Sequence, residues 1–289
     1  MKWIAGGRTI DLADDGTRPL IMGVLNVTPD SFSDGGRLAS AQAAVEAGRR
    51  MLDEGADIVD VGGESTRPGA TPVDVEEEWR RVGPVLAGLR RAAPGALISI
   101  DTYKGEAARR ALAEGADIVN DISAGRLDPA LWDVVAGARC GYVLMHMQGE
   151  PGTMQQAPHY EDCVREVGGF LADKLAELAA LGVEPERVVA DPGIGFGKRL
   201  EDNLALLANL NALGRAAGRP LLVGPSRKRF IGDALGLPVE ERLEGTLAAV
   251  ALAVWQGAAV VRVHDVRAAR RAADLAAAIR GARCGTGGG

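Results

Sequence analysis

A seven-residue phrase recurs in this chain with only its last letter changed. Glu54-Gly55-Ala56-Asp57-Ile58-Val59-Asp60 returns as Glu114-Gly115-Ala116-Asp117-Ile118-Val119-Asn120, and Gln256-Gly257-Ala258-Ala259-Val260-Val261 is a looser third copy. Each copy sets a glycine where a helix ends, with a buried apolar run a few residues later. The spacing between the first two fits two strand–helix units of roughly 30 residues each. A chain that keeps repeating strand and helix in this order buries its strands on both faces, as parallel sheets do.

The same rhythm places strands at 20–26, 57–62, 97–101, 117–121, 142–147, 188–192, 221–225 and 259–264. Helices fall near 40–54, 75–92, 104–114, 129–138, 161–182, 200–217, 239–256 and 266–281. Asp74 with Glu77 has capping-box spacing, and Asp128-Pro129 is a second helix start. Eight such units in 289 residues predict a (β/α)8 TIM barrel. No GxGxxG follows the first strand, which speaks against a dinucleotide-binding sheet. Residues 1–15 read as a short N-terminal β-hairpin closing the barrel bottom. One domain is expected over 1–281, with 282–289 a flexible Gly-rich tail.

Hydrophobic residues make up 47% of the chain, enough for a large core. The formal charge of −6 argues against a general nucleic-acid binder. Cys140, Cys163 and Cys284 show no CxxC spacing and are expected as reduced thiols in a cytoplasmic protein. No apolar stretch reaches the roughly 18 residues of a membrane span, and the start lacks a signal-peptide core.

In a barrel, active sites sit at the carboxyl ends of the strands. Those ends carry Asn26; Glu64-Ser65-Thr66-Arg67; Asp101; Asn120-Asp121; His146; Asp191 with Phe196; Ser226-Arg227-Lys228; and Arg262 with His264. The first is the sharpest. The apolar run Leu20 to Leu25 breaks into Asn26-Val27-Thr28-Pro29-Asp30-Ser31-Phe32-Ser33-Asp34-Gly35-Gly36, a loop able to meet an anion, a metal and an aromatic ring, or else plain turn chemistry.

Asn26, Arg67, Arg262 and His264 suit a phosphate or pyrophosphate. Asn26 and Asp30 offer oxygens to a Mg²⁺ shared with it. Asp101, Asn120, Asp191 and Lys228 fit a flat guanine-like heterocycle, with Ile122, Met145 and Phe196 as apolar walls. Ser226, opening the stretch before a helix, suits a carboxylate. Blander readings stand beside these. His146 and His159 read as satisfied polar residues, and Arg262 could pair with a carboxylate on a neighbouring strand. Asp57 and Asp117, at the opposite strand ends, read as structural, and Trp79, Trp132 and Trp255 as packing. Leu243, Leu247, Val250 and Val254 form an apolar stripe suited to a homodimer face.

The run Asn26 to Gly36, Gly62-Gly63-Glu64-Ser65-Thr66-Arg67-Pro68-Gly69, Asp191-Pro192-Gly193-Ile194-Gly195-Phe196-Gly197-Lys198 and Ser226-Arg227-Lys228 resemble the dihydropteroate synthase family. Asp101-Thr102, Asn120-Asp121-Ile122-Ser123, Met145-His146-Met147 and Arg262-Val263-His264-Asp265 follow in matching order. The resemblance implies joining of 4-aminobenzoate to 6-hydroxymethyl-7,8-dihydropterin diphosphate with Mg²⁺-assisted loss of diphosphate. It implies catalytic roles for Asp101, Lys228, Arg262 and His264. The pterin would meet Asp101, Asn120, Ile122, Met145, Asp191, Phe196, Lys228 and Arg262. The diphosphate would meet Asn26, Thr66, Arg67, Arg262 and His264. Phe32, Arg67, Pro68, Ser226 and Lys228 would frame the aminobenzoate, where sulfonamides compete, with Thr28 to Gly36 as a lid. A pterin-dependent methyltransferase and a non-catalytic pterin binder are the rival readings.

Overall fold

The two copies of the repeat perform the same structural task. Asp57 accepts the backbone N–H of Ile21 at 2.8 Å, and Asp117 accepts that of Ile98 at 2.9 Å. Each carboxylate thus ties the foot of its own strand to the neighbouring one. Each also meets an arginine from the helical layer, Arg270 at 3.1 Å and Arg90 at 2.6 Å. The structural assignment of both aspartates holds. The preceding Gly55 and Gly115 share φ = +102°, a backbone state that a side chain would strain.

The computed structural model describes residues 1–12, 18–28, 36–65 and 71–284. Two short strands, β1 (Lys2–Ala5) and β2 (Arg8–Asp11), form an antiparallel hairpin. There follow β3 (Leu20–Asn26), α1 (Gly36–Asp53), β4 (Ile58–Gly62), α2 (Val75–Ala92), β5 (Leu97–Asp101), α3 (Gly105–Ala113), β6 (Ile118–Asp121), α4 (Ala130–Gly137), β7 (Gly141–Met145) and α5 (Cys163–Ala180). The chain continues through β8 (Val188–Asp191), α6 (Leu200–Ala208), α7 (Leu210–Ala217), β9 (Leu222–Val223), α8 (Arg229–Leu235), α9 (Leu243–Trp255), β10 (Val260–Val263) and α10 (Val266–Cys284). The parallel strands run β8-β7-β6-β5-β4-β3-β10-β9. A bridge between Ala190 and Leu221 brings β9 back to β8, so the sheet is an eight-stranded (β/α)8 barrel.

Alternate residues of each strand face the lumen. Met22, Ile58, Leu97, Ile118, Val143, Val189, Leu222 and Val260 form an apolar floor with Trp3 of the hairpin, which is fully buried. The indole N–H of Trp3 donates to Arg187 O at 2.9 Å, so the plug carries no orphan donor. The hairpin therefore closes the barrel bottom as expected. Two residues further along, the strands present Asp60, Ser99, Asn120, Met145, Asp191 and Arg262. The lumen changes from apolar to polar within one layer.

Several boundaries differ for local reasons. The helix expected over 200–217 breaks at Asn209, whose side chain donates to Ala205 O at 2.8 Å and tightens the turn. The strand expected over 221–225 shrinks to two residues because Pro220 and Pro225, lacking N–H groups, flank it. Helix α8 was not expected. It has seven residues and ends at Gly236 with φ = +70°, too short to show a periodicity. Helix α10 runs through Cys284, past the tail boundary placed at 282. Of the proposed dimer stripe, Val250 and Val254 are buried inside the chain, so they cannot meet a partner. Leu252 and Trp255 of α9 and Leu275 and Ile279 of α10 are the exposed apolar residues there. Trp255 is thus at the surface, whereas Trp79 and Trp132 pack on the core.

Candidate active site

At the carboxyl end of the barrel, Arg262 joins two carboxylates from different strands. Its Nε donates to Asp60 at 2.7 Å and its terminal nitrogen to Asp101 at 2.6 Å. Burial disfavours the guanidinium charge, but Asp60 and Asp101 more than restore it. Asp60 is fully buried, and one of its oxygens also accepts from Asn120 at 2.9 Å while the other has no hydrogen-bond partner. Asp101 has its carboxyl raised above the ordinary range by burial and by the nearby carboxylates, against the pull of Arg262.

Asp60 was not among the expected site residues. A signal was present, since it occupies the position in the first repeat that Asn120 occupies in the second. The same fold feature delivers both into the lumen, where they bond to each other.

The heterocycle group comes together across β5, β6, β8 and the turn after β9. Asp191 accepts Gly193 N–H at 2.7 Å, and burial raises its carboxyl while Lys228 opposes the shift. Lys228 lies 4.4 Å over the Phe196 ring and donates to Ile194 O. Burial pushes its amine down to about 8, with Asp191 pulling the other way. Beside these, Ile122, Met145 and Phe196 form one apolar cluster, as expected, and Met147 and Met154 extend it. The two methionines were missed because nothing in a lone Met distinguishes a pocket wall from core.

The loop from Asp191 to Arg199 folds back over the end of β7. A Cβ on Gly193 would stand 1.9 Å from His146 O, so only glycine permits this approach. Asn203 accepts Gly195 N–H at 2.6 Å, Gln155 donates to Gly195 O at 2.8 Å, and Tyr160 donates to Gly197 O at 2.8 Å. Lys198, almost wholly buried, reaches Phe196 O at 3.0 Å and His146 Nδ1 at 2.9 Å. Burial lowers His146 to about 2, with the Lys198 charge adding to the effect, so the ring is neutral, and in the tautomer with a bare Nδ1 that nitrogen accepts from Lys198.

Not every polar strand tip faces the mouth. Asp121 turns outward and is consumed by Ser123, Gly125 and Tyr142, all at 2.7 Å. Glu64 pairs with Lys104 and accepts from Tyr103 at 3.1 Å. Lys104 also holds buried Glu78 at 2.5 Å. Arg227, at φ = 54°, forms a two-pronged pair with Asp265 at 2.8 and 2.9 Å.

Ser226, expected to suit a carboxylate, is engaged within the chain. Its hydroxyl lies 2.9 Å from His264 Nδ1 and accepts His264 N–H at 3.2 Å, and the next N–H, on Arg227, donates to Thr246 at 2.9 Å. The hydroxyl therefore sets the His264 ring. Asn26 stands at the end of β3, paired in register with Gly62. Asp30, Phe32, Thr66, Arg67 and Pro68 lie outside the described residues, as does most of the proposed lid. His159 is exposed and makes backbone bonds to Gln148 at 2.9 Å.

Among the described residues, a cavity of about 300 Å³ opens at the opposite face beside Met1, Arg18, Arg219 and Trp255. None of the strand tips lines it, so the chemistry belongs to the mouth. A barrel whose mouth gathers two buried acids, an amide, a lysine and an apolar wall is built to hold a flat polar heterocycle.

Comparison with known proteins agrees. The family described as "Pterin binding enzyme" matches residues 22–264, and the chain belongs to that family. It is 47% identical over 271 residues to the dihydropteroate synthase of Neisseria meningitidis serogroup B, covering 92% of this chain and 93% of that one. The crystal structure of Yersinia pestis dihydropteroate synthase with a sulfonamide drug superposes with a TM-score of 0.89 at 40% identity, covering 97% of this chain and 99% of that one. Xanthomonas albilineans dihydropteroate synthase with 4-aminobenzoic acid gives 0.87 at 46% identity, covering 96% and 97%.

Proposed function

We propose that this chain is a transferase of the dihydropteroate synthase type. It joins 4-aminobenzoate to 6-hydroxymethyl-7,8-dihydropterin diphosphate, giving 7,8-dihydropteroate and diphosphate, and sulfonamides compete for the aminobenzoate position. The observation that carries this reading is the convergence of Asp101, Asn120, Asp191 and Lys228 on one apolar-walled mouth. It is supported by the near-complete overlap with relatives whose structures hold a sulfonamide drug and 4-aminobenzoic acid.

Asp191 accepts the N–H edge of the heterocycle and Lys228 donates to its acceptors, while Ile122, Met145 and Phe196 cover its faces. The carbon–oxygen bond to diphosphate breaks. Asp101 faces the positive charge that develops on the pterin, in a preorganised low-dielectric site where a carboxylate acts strongly. The amine nitrogen of 4-aminobenzoate then bonds to that carbon and loses one proton. No strong nucleophile is needed, and bringing the two reactants together supplies much of the acceleration. His264, steadied by Ser226, and Arg262 serve the departing diphosphate.

The donor set fits Mg²⁺. Among the described residues there is no cluster of three His, Cys, Asp or Glu that would cage a metal. A Mg²⁺ that takes few protein oxygens and shares substrate phosphates would be met by the amide oxygen of Asn26, which lies beside Gly62 and faces the Asp101 side of the mouth. Bound there, it would neutralise charge on the leaving diphosphate. Buried, unpaired Cys140 and Cys163 are consistent with a reducing, cytoplasmic setting. The chain has no helix long and apolar enough to cross a membrane among its described residues.

A coupled assay of diphosphate release tests the reading. Release should require both 4-aminobenzoate and Mg²⁺. Release without the amine, or methyl transfer instead, would defeat it.

A further inference from the structure

Lys198 is a buried amine that the reaction above leaves unused. It has no ion pair among the described residues, although Asp191 and Asp202 lie near enough to favour its charge. A lysine sealed in such a place without a carboxylate partner is costly, and packing alone would be served as well by methionine. Its contacts show where that cost is offset. Its Nζ is shared between Phe196 O at 3.0 Å and His146 Nδ1 at 2.9 Å, and the Tyr160 ring centroid stands 6.0 Å away. His146 is itself fixed, with its N–H on Asp191 O at 3.0 Å and its ring edge-on to Phe170 at 4.8 Å. One amine thus ties the midpoint of the glycine loop to the end of β7.

The loop it ties carries the lysine-facing half of the heterocycle site. Phe196 lies under Lys228, and Ile194 O accepts from Lys228. Three left-handed glycines, at φ of 67°, 82° and 61°, make this segment cheap to distort. Its other anchors hold Gly193, Ile194, Gly195 and Gly197 and leave the Phe196 carbonyl to Lys198.

We propose that Lys198 is a positioning residue for the heterocycle site, a clamp from β7 to the glycine loop that sets Phe196 and, through it, Lys228. Nζ keeps N–H donors whether or not it is protonated, so the clamp does not depend on a particular charge state. It does not touch the substrate. The inference rests on the reading that Asp191, Phe196 and Lys228 bind the pterin.

The test separates the two halves of the mouth. 6-Hydroxymethylpterin, which carries no phosphate, and inorganic diphosphate with Mg²⁺ are titrated separately into the folded protein. Lys198→Met should lower affinity for the pterin about tenfold and leave diphosphate affinity within about twofold, because a clamp defect is local. His146→Leu, which removes the acceptor and keeps the lysine, should show the same selective loss. His146→Asn, whose Oδ1 stands where Nδ1 does and restores an acceptor, should recover most of it. Parallel loss of both ligands, or no loss of pterin, overturns the proposal. If Lys198→Met does not fold, the pair of His146 variants decides alone. Asp191→Asn is the control for the underlying reading. If it keeps full pterin affinity, the placement of the heterocycle is wrong, whatever Lys198 does.

Discussion

At the scale of single residues, the division of labour in the mouth turns on Asp101 and Arg262. A carboxylate that acts mainly on developing positive charge contributes little to holding a neutral ground state. Asp101→Asn should therefore lower kcat by about 100-fold while pterin affinity changes by less than about threefold, read from steady-state kinetics beside direct titration. Equal losses in the two would assign Asp101 to binding alone. Most of the residues in this region could be named from the chain because strand ends in a barrel share one face. What could not be read was who bonds to whom. Arg262 was legible both as an anion binder and as an ion-pair partner, and the structure has it bridging Asp60 and Asp101. Asp60 went unnoticed because it sits within an apolar run, where its match to Asn120 in the second repeat is the one pattern that announces it.

At the scale of elements, the strands were legible and some helices were not. Strand ends follow from apolar runs flanked by glycine and polar residues, and the lumen-facing parity then fixes itself. Helices α6 and α7 read as one because the Asn209 side chain that divides them acts on a carbonyl four residues back, a contact that apolar periodicity does not encode. The hairpin of β1 and β2 offers a clean test of the apolar floor. Trp3→Ala should destabilise the fold by about 3–5 kcal/mol in urea denaturation. The mouth lies a full polar layer above, so kcat/KM of the folded variant should stay within about twofold. A matching loss of activity would mean that the floor also shapes the site.

At the scale of the whole molecule, the barrel keeps its two ends distinct. Aspartates of the repeat stitch the amino-terminal end, while the carboxyl-terminal end holds acids that burial drives upward and amines that it drives downward. Such opposed shifts around one opening are common at working sites. The outer surface carries one more expectation. Leu252, Trp255, Leu275 and Ile279 lie exposed on the adjoining helices α9 and α10, and a second copy of this chain is the proposed partner for that face. Light scattering at micromolar concentration should give twice the mass of 30.0 kDa, and Leu252→Arg should halve it. A monomeric wild-type chain would remove the proposal. The stripe read from the sequence chose the wrong side of α9, since apolar spacing alone cannot tell a face turned to its own barrel from one turned outward.

The bond between Ser226 and His264 has a consequence for drug escape. Serine at this position is expected to border the aminobenzoate, where a sulfonamide would sit, yet its hydroxyl holds the ring proposed to serve diphosphate. A substitution there that repels the drug would also loosen His264. Resistance arising at residue 226 should therefore carry a built-in fitness penalty, and lineages that keep it should acquire a second change near His264.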